Sequence, residues 1–217
     1  MRLPVTRIKS FTSEQGLWIN KPAHVTQTDE QLLMRTGANT DFWVKTWYGF
    51  ERHSGHAFGF MLEGEFTLEV KIAAAFEQLY DQAGIFIEAS ETQWVKSGIE
   101  YNDGAPAIGC VVTQGQSDWS TGVFPGDARE FWMRATLEKQ ALRLQYSTDG
   151  KTWPLLRLFP WQDSGQRFVG VMCCSPEREG LDVRFEQLRI TRPLGKALHD
   201  LSLPQAACAA GGLHSMP

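Results

Sequence analysis

Two segments near the middle of the chain, Tyr80 to Glu88 and Trp94 to Tyr101, alternate between small or apolar residues and polar or aromatic ones. That two-residue period belongs to a β-strand with two differently solvated faces. One face carries Tyr80, Gln82, Phe86 and Glu88, then Trp94, Lys96 and Glu100; the other carries Ala83, Ile85, Ile87, Val95 and Ile99. Antiparallel partners must share a face, so the segments predict a hairpin with Glu88 opposite Trp94 and Ala89 to Gln93 as its loop. The same register sets Phe86 against Lys96, Gln82 against Glu100, Tyr80 against Asn102, Ile87 against Val95 and Ala83 against Ile99.

The pattern recurs along the chain. Short strand signals cover Leu17 to Asn20, Val25 to Thr28, Gln31 to Thr36 and Phe66 to Ile72, the last with Phe66, Leu68, Val70 and Ile72 inward. More follow at Ala107 to Thr113, Phe131 to Leu137, Ala141 to Ser147, Leu155 to Phe159, Arg167 to Cys174 and Leu181 to Thr191. Turn chemistry separates them, as at Asn102-Asp103-Gly104 and Ser147-Thr148-Asp149-Gly150. Ala73 to Leu79 has helix propensity but is short and flanked by strands, so it reads as a loop or a single turn. About a dozen strands without a long helical pattern predict an all-β, two-sheet antiparallel sandwich. We read one domain over residues 1–203 and a disordered tail from 204 to 217, where Ala and Gly dominate.

The chain has 217 residues with a net charge of −4, which provides no basic footprint for nucleic acid and no polybasic run for a membrane surface. The first residues lack a signal-peptide apolar stretch, and no segment is apolar enough to span a bilayer. Cys110, Cys173, Cys174 and Cys208 have neither disulfide-scaffold nor zinc-ligand spacing. They read as buried reduced thiols rather than a redox pair, which places the protein in the cytoplasm.

Thr40-Asp41-Phe42-Trp43, Tyr80-Asp81-Gln82-Ala83-Gly84, Ser117-Asp118-Trp119-Ser120 and Tyr146 to Trp153 occur in an order that resembles a family of unknown function. That family includes YesU-like bacterial proteins and the yeast regulation-of-enolase protein, and lies within the concanavalin A-like lectin/glucanase superfamily. The similarity runs from about Leu17 to His199. It implies a jelly-roll sandwich whose concave sheet face holds a sugar in some relatives. It also implies a regulatory contact with a metabolic enzyme, for which the exposed aromatic run Trp47-Tyr48-Gly49-Phe50 is the candidate surface.

Sugars present hydroxyls to amides and carboxylates, and C–H faces to aromatic rings. The polar strand face is therefore the candidate carbohydrate site: Tyr80, Phe86, Trp94 and Trp119 as platform, Gln82, Lys96, Glu100 and Thr113 as hydrogen-bonding groups. The competing reading is an exposed sheet face decorated by a cross-strand salt bridge, or one covered by the segment from Asp41 to Gly59. Glycoside hydrolysis needs two carboxyls about 5–9.5 Å apart, for which Glu100 with Glu69 or Glu88 are the candidates. Lys96 and Gln82 near Glu100 would favour its ionised form. The Glu-x-Asp-x-x-Glu strand signature of the superfamily glucanases is absent. His53-Ser54-Gly55-His56 is too sparse for a metal centre, leaving His56 a loop-packing or ligand-contacting role. No cofactor is expected, though scattered Asp and Asn leave room for the structural calcium of some superfamily relatives.

Overall fold

The structure, a computed structural model, describes residues 8–162 and 165–199. The predicted tail and Cys208 lie outside the described residues. Strands are numbered along the chain. One seven-stranded sheet runs from β1 (Leu17–Ile19) through β6 (His56–Leu62), β15 (Arg167–Cys174) and β8 (Gln82–Ser90). It continues through β9 (Gln93–Asn102) and β10 (Ala105–Gln114) to β11 (Gln116–Val123). The second sheet runs from β14 (Leu155–Pro160) through β13 (Ala141–Ser147), β12 (Glu130–Glu138) and β7 (Phe66–Ala74). It ends with β16 (Asp182–Thr191), β3 (Gln31–Arg35) and β2 (His24–Gln27). A separate two-stranded hairpin pairs β4 (Phe42–Val44) with β5 (Glu51–His53). All pairings are antiparallel, as expected for an all-β jelly-roll sandwich, and the described residues contain no helix.

The core lies between the two large sheets. Phe58, Phe60, Ile85, Ile87, Val95, Ile99, Val169 and Val171 come from the first sheet. Phe66, Leu68, Val70, Ile72, Met133, Leu144 and Phe185 come from the second, and all fifteen are nearly or wholly buried. At about 25 cal/mol per Å² of apolar surface, each such side chain stabilises the sandwich by about 1.5–3 kcal/mol. Ala73 and Ala74 continue β7 and the chain turns after them, so no helix interrupts the sheets. The Asn102–Ala105 connection is a two-residue turn with positive φ at Asp103 (50°) and Gly104 (81°), the twist-matched geometry for a hairpin.

Four strands lack a clean sequence signal. β6 is buried on both faces apart from Met61, so its residues do not alternate, and its flanking Ser-Gly-His resembles a turn. β11 is an edge strand with nearly every residue exposed, which gives it loop-like composition. β4 and β5 are three residues each, too short for a period to show.

Candidate functional site

The central hairpin pairs in the expected register, with Gln82 opposite Glu100, Ala83 opposite Ile99, Phe86 opposite Lys96, Ile87 opposite Val95 and Glu88 opposite Trp94. Its connection differs from the expected loop. The ladder continues to Ser90 opposite Gln93, and a bulge at Ala89 absorbs the extra residue, leaving Glu91-Thr92 as the turn. Tyr80 does not pair with Asn102: its φ of 61° takes it out of the strand, and its N–H donates to the Tyr101 carbonyl at 2.7 Å.

The β4–β5 hairpin lies over half of this outer face. Phe42 stacks on Phe86 with ring centres 4.2 Å apart and stands 6.1 Å from Trp94. Phe42, Phe86 and Trp94 are fully buried in a second apolar cluster with Val111, Phe168 and Met172. Thr113 Oγ1 shares a 2.9 Å hydrogen bond with Ser117 Oγ, which accepts the Val44 N–H at 2.9 Å. Glu88 bonds His53 Nε2 at 2.6 Å, an interaction that raises the His53 pKa. Phe86, Trp94 and Thr113 are thus the buried seat of the hairpin, and the partly exposed Glu88 is taken up by His53 at its edge. Alternation reveals that a face exists but not what covers it.

His56 is also removed from the site. Its Nδ1–H donates to the Asn20 carbonyl, and its Nε2 accepts the Gly37 N–H at 3.0 Å, so the ring staples two loops. Among the described residues no group of three or more His, Cys, Asp or Glu is placed to hold a metal ion.

Beside the hairpin the face stays open as a pocket of about 170 Å³. Five of the expected residues line it: Tyr80, Gln82, Lys96, Glu100 and Trp119. The hairpin adds Asp41, Trp43, Tyr48, Phe50 and Arg52, and Pro176 and Glu177 close the far rim. Trp43 meets Tyr48 at 5.6 Å and Trp119 at 6.4 Å, both edge-on, and donates its indole N–H to the Thr46 carbonyl at 2.9 Å. Tyr48 and Tyr80 share a 3.0 Å hydroxyl contact, which together with burial pushes the Tyr80 pKa up to about 12. These hairpin contributions escaped the sequence reading, although the density of rings from Phe42 to Phe50 was a signal for them.

The sheet beside the pocket carries a row of glycines. Gly84, Gly98 and Gly109 stand side by side on β8, β9 and β10, with Gly98 two positions from both Lys96 and Glu100. They are the gaps in the otherwise polar and aromatic face of the alternating segments. A Cβ on Gly98 would lie 2.1 Å from the Ala83 carbonyl oxygen, so only glycine fits this strand approach.

The site's charges are unequal in status. Lys96, 3% exposed, donates to Asp41 Oδ1 at 2.6 Å and to Gln82 Oε1 at 2.8 Å. Burial opposes its charge, but Asp41, with smaller contributions from Cys174 and Glu100, outweighs that and holds its pKa above the usual lysine value. Glu100 is the opposite case. Burial raises its pKa, and Lys96, committed to Asp41, only partly offsets the rise. The expected help from Lys96 toward ionised Glu100 is present, but burial outweighs it, and the Gln82 oxygen is taken up by Lys96.

Neither expected carboxylate pair forms. Glu69 sits on the outer face of the second sheet, bonded to Arg134 at 2.6 Å, so the whole core separates it from Glu100. Glu88 is six residues along β8 from Gln82, the partner of Glu100, or about 20 Å at strand rise, well beyond glycosidase separation. Cys110, Cys173 and Cys174 are free and buried, and burial raises the thiol pKa of Cys173 and Cys174.

This architecture agrees with what is known of similar proteins. The family model described as protein of unknown function (DUF1349) matches residues 18–193. The chain belongs to this family. It is 49% identical over 194 residues to Regulation of enolase protein 1 of Saccharomyces cerevisiae, covering 89% of this chain and 98% of that protein. The crystal structure of a functionally unknown protein from S. cerevisiae superposes with a TM-score of 0.81 at 48% identity, covering 83% of this chain and 98% of that one. A mutant of the GH43 protein BlXynB from Bacillus licheniformis gives a TM-score of 0.68 at 15% identity, over 86% of this chain and 38% of that one. At that identity the likeness concerns the jelly-roll fold alone.

Proposed function

We propose that the protein is a one-domain jelly roll that binds a carbohydrate or similarly sized polar molecule in the pocket beside the β4–β5 hairpin. The observation that carries this reading is the joining of aromatic walls (Trp43, Tyr48, Trp119) to hydrogen-bonding groups (Gln82, Glu100, Arg52) around one open space. Buried free thiols at Cys110, Cys173 and Cys174 suit a reducing compartment such as the cytoplasm. Titration calorimetry against a panel of mono- and oligosaccharides tests the reading. Binding at millimolar concentration or tighter, lost in Trp119→Ala, is the expected result; no heat from any sugar overturns the carbohydrate form of the reading.

A second reading follows from a different observation. Trp47, at the hairpin tip with φ 62°, is 92% exposed, a large ring offered to solvent where an interface anchor would be. Together with the name of the yeast relative, this supports a regulatory contact with a metabolic enzyme such as enolase. Sedimentation of purified enolase with wild type and with Trp47→Ala tests it, and equal co-migration of both, or of neither, removes Trp47 as the anchor. Hydrolysis is the weaker option, since Glu100 has neither Glu69 nor Glu88 within reach.

A further inference from the structure

The charges and rings of the pocket narrow the chemistry of its ligand. Lys96 and Asp41 neutralise one another and, with Gln82 as a second acceptor, the ammonium is already well coordinated. The other charged groups on the lining are Glu100, Glu177 and Arg52, an excess of one negative formal charge. Arg52 lies over the Phe50 ring at 4.5 Å, so one aromatic face already holds a cation. Trp43, Tyr48 and Trp119 remain, with Tyr48 at 70° and Trp119 at 88° to Trp43, so their ring planes enclose space from more than one direction. An anion entering here would meet Glu100 and Glu177. A neutral ligand would leave Glu100 with only the partial help of the Lys96 charge, which is bonded to Asp41.

We propose that the ligand carries a protonated amine, from an amino sugar or a compact alkylammonium, seated among Trp43, Tyr48 and Trp119 with Glu100 as its counter-ion. This rests on the reading that the pocket binds a small molecule, and specifies that molecule's charge. Glu100 makes no ion pair among the described residues, and its hydrogen bond from Asn102 Nδ2 is long, at 3.4 Å. Burial outweighs the partial help of Lys96 and favours the protonated form, so an arriving ammonium supplies the direct ion pair that Glu100 lacks. Gly84, Gly98 and Gly109 add no side chains of their own to the sheet beside Glu100.

Three sugars of one ring stereochemistry provide the test: glucosamine, glucose and N-acetylglucosamine, titrated by calorimetry alongside tetramethylammonium chloride with sodium chloride as the ionic-strength control. Glucosamine is expected to bind about tenfold more tightly than either neutral sugar, with the advantage abolished in Glu100→Gln. Tetramethylammonium should compete with glucosamine where sodium does not, which separates the charge from the sugar ring. Binding by tetramethylammonium without glucosamine assigns the site to alkylammonium ligands and keeps the inference. Equal or tighter binding of the neutral sugars overturns the inference while leaving a sugar pocket intact. A preference that survives in folded Glu100→Gln, verified by its circular dichroism, also overturns it. No binding by any of the four removes the inference, and no binding by the wider sugar panel removes the carbohydrate reading beneath it.

Discussion

Replacing Lys96 by methionine should unsettle the protein more than any other single change at the pocket. Lys96 is 3% exposed and its ammonium joins Asp41, on the segment entering β4, to Gln82 on β8. Methionine keeps most of the aliphatic stem but leaves the Asp41 side chain, on a residue only 8% exposed, with the Phe42 backbone N–H at 2.8 Å as its donor. Removing one partner of such a buried pair costs about 3–5 kcal/mol, a large part of the roughly 5–15 kcal/mol that holds a domain folded. The double variant with Asp41→Leu removes the stranded charge and should recover much of the loss, which gives a strongly non-additive cycle. Urea unfolding followed by tryptophan fluorescence measures each step. The raised Lys96 pKa means its contribution is fully present below the ordinary lysine value of 10.5 and lost only as pH rises through the folded value. The Lys96→Met penalty should therefore stay level from about pH 6 to 9. A penalty under about 1 kcal/mol, or additive single and double variants, would refute the claim that a desolvated pair fastens the hairpin.

Other sites give independent tests. Asp81 is fully buried; burial works against its charge, but Arg178 at 2.6 Å and the N–H groups of Glu77 and Gln78 win and lower its pKa. Its contribution is present above the ordinary value of 3.8 and lost as pH falls through the folded value, so Asp81→Asn should cost about 2–4 kcal/mol at neutral pH and flatten the acid limb of the stability curve. His53, with its raised pKa, should titrate above 6.5 by NMR and return toward that value in Glu88→Gln. Its stabilising effect, present below 6.5 and lost as pH rises through the folded value, should be under about 1 kcal/mol because the ring is partly solvated. Gly98→Ala places a methyl 2.1 Å from the Ala83 carbonyl oxygen and should lower the thermal midpoint by the equivalent of about 1–3 kcal/mol; an unchanged midpoint would mean the β8–β9 approach is looser than described.

The fold class and the β8–β9 register were legible because a half-solvated strand writes its two faces into alternate positions, and a one-residue slip would bury Lys96 and Glu100 in the core. The same rule placed Gln82, Lys96 and Glu100 on one surface with Tyr80 close by. It could not distinguish Phe86 and Trp94 under the hairpin from Trp119 at the open rim, since an aromatic ring suits a covered face and a binding wall equally well. It also placed Glu69 with Glu100, because local periodicity carries no information about which sheet a strand joins.

Sequence alone thus determined the all-β class, the family and which side chains share a strand face, all consequences of short-range periodicity and residue order. Tertiary structure alone decided that Phe42 closes half of that face and that Trp43, Tyr48 and Arg52 build the pocket wall. It also decided that Asp41, fifty-five positions away, rather than Glu100, takes the Lys96 ammonium. Such choices depend on competition between groups remote in sequence for one desolvated charge, and that competition is resolved only when the hairpin docks on the sheet.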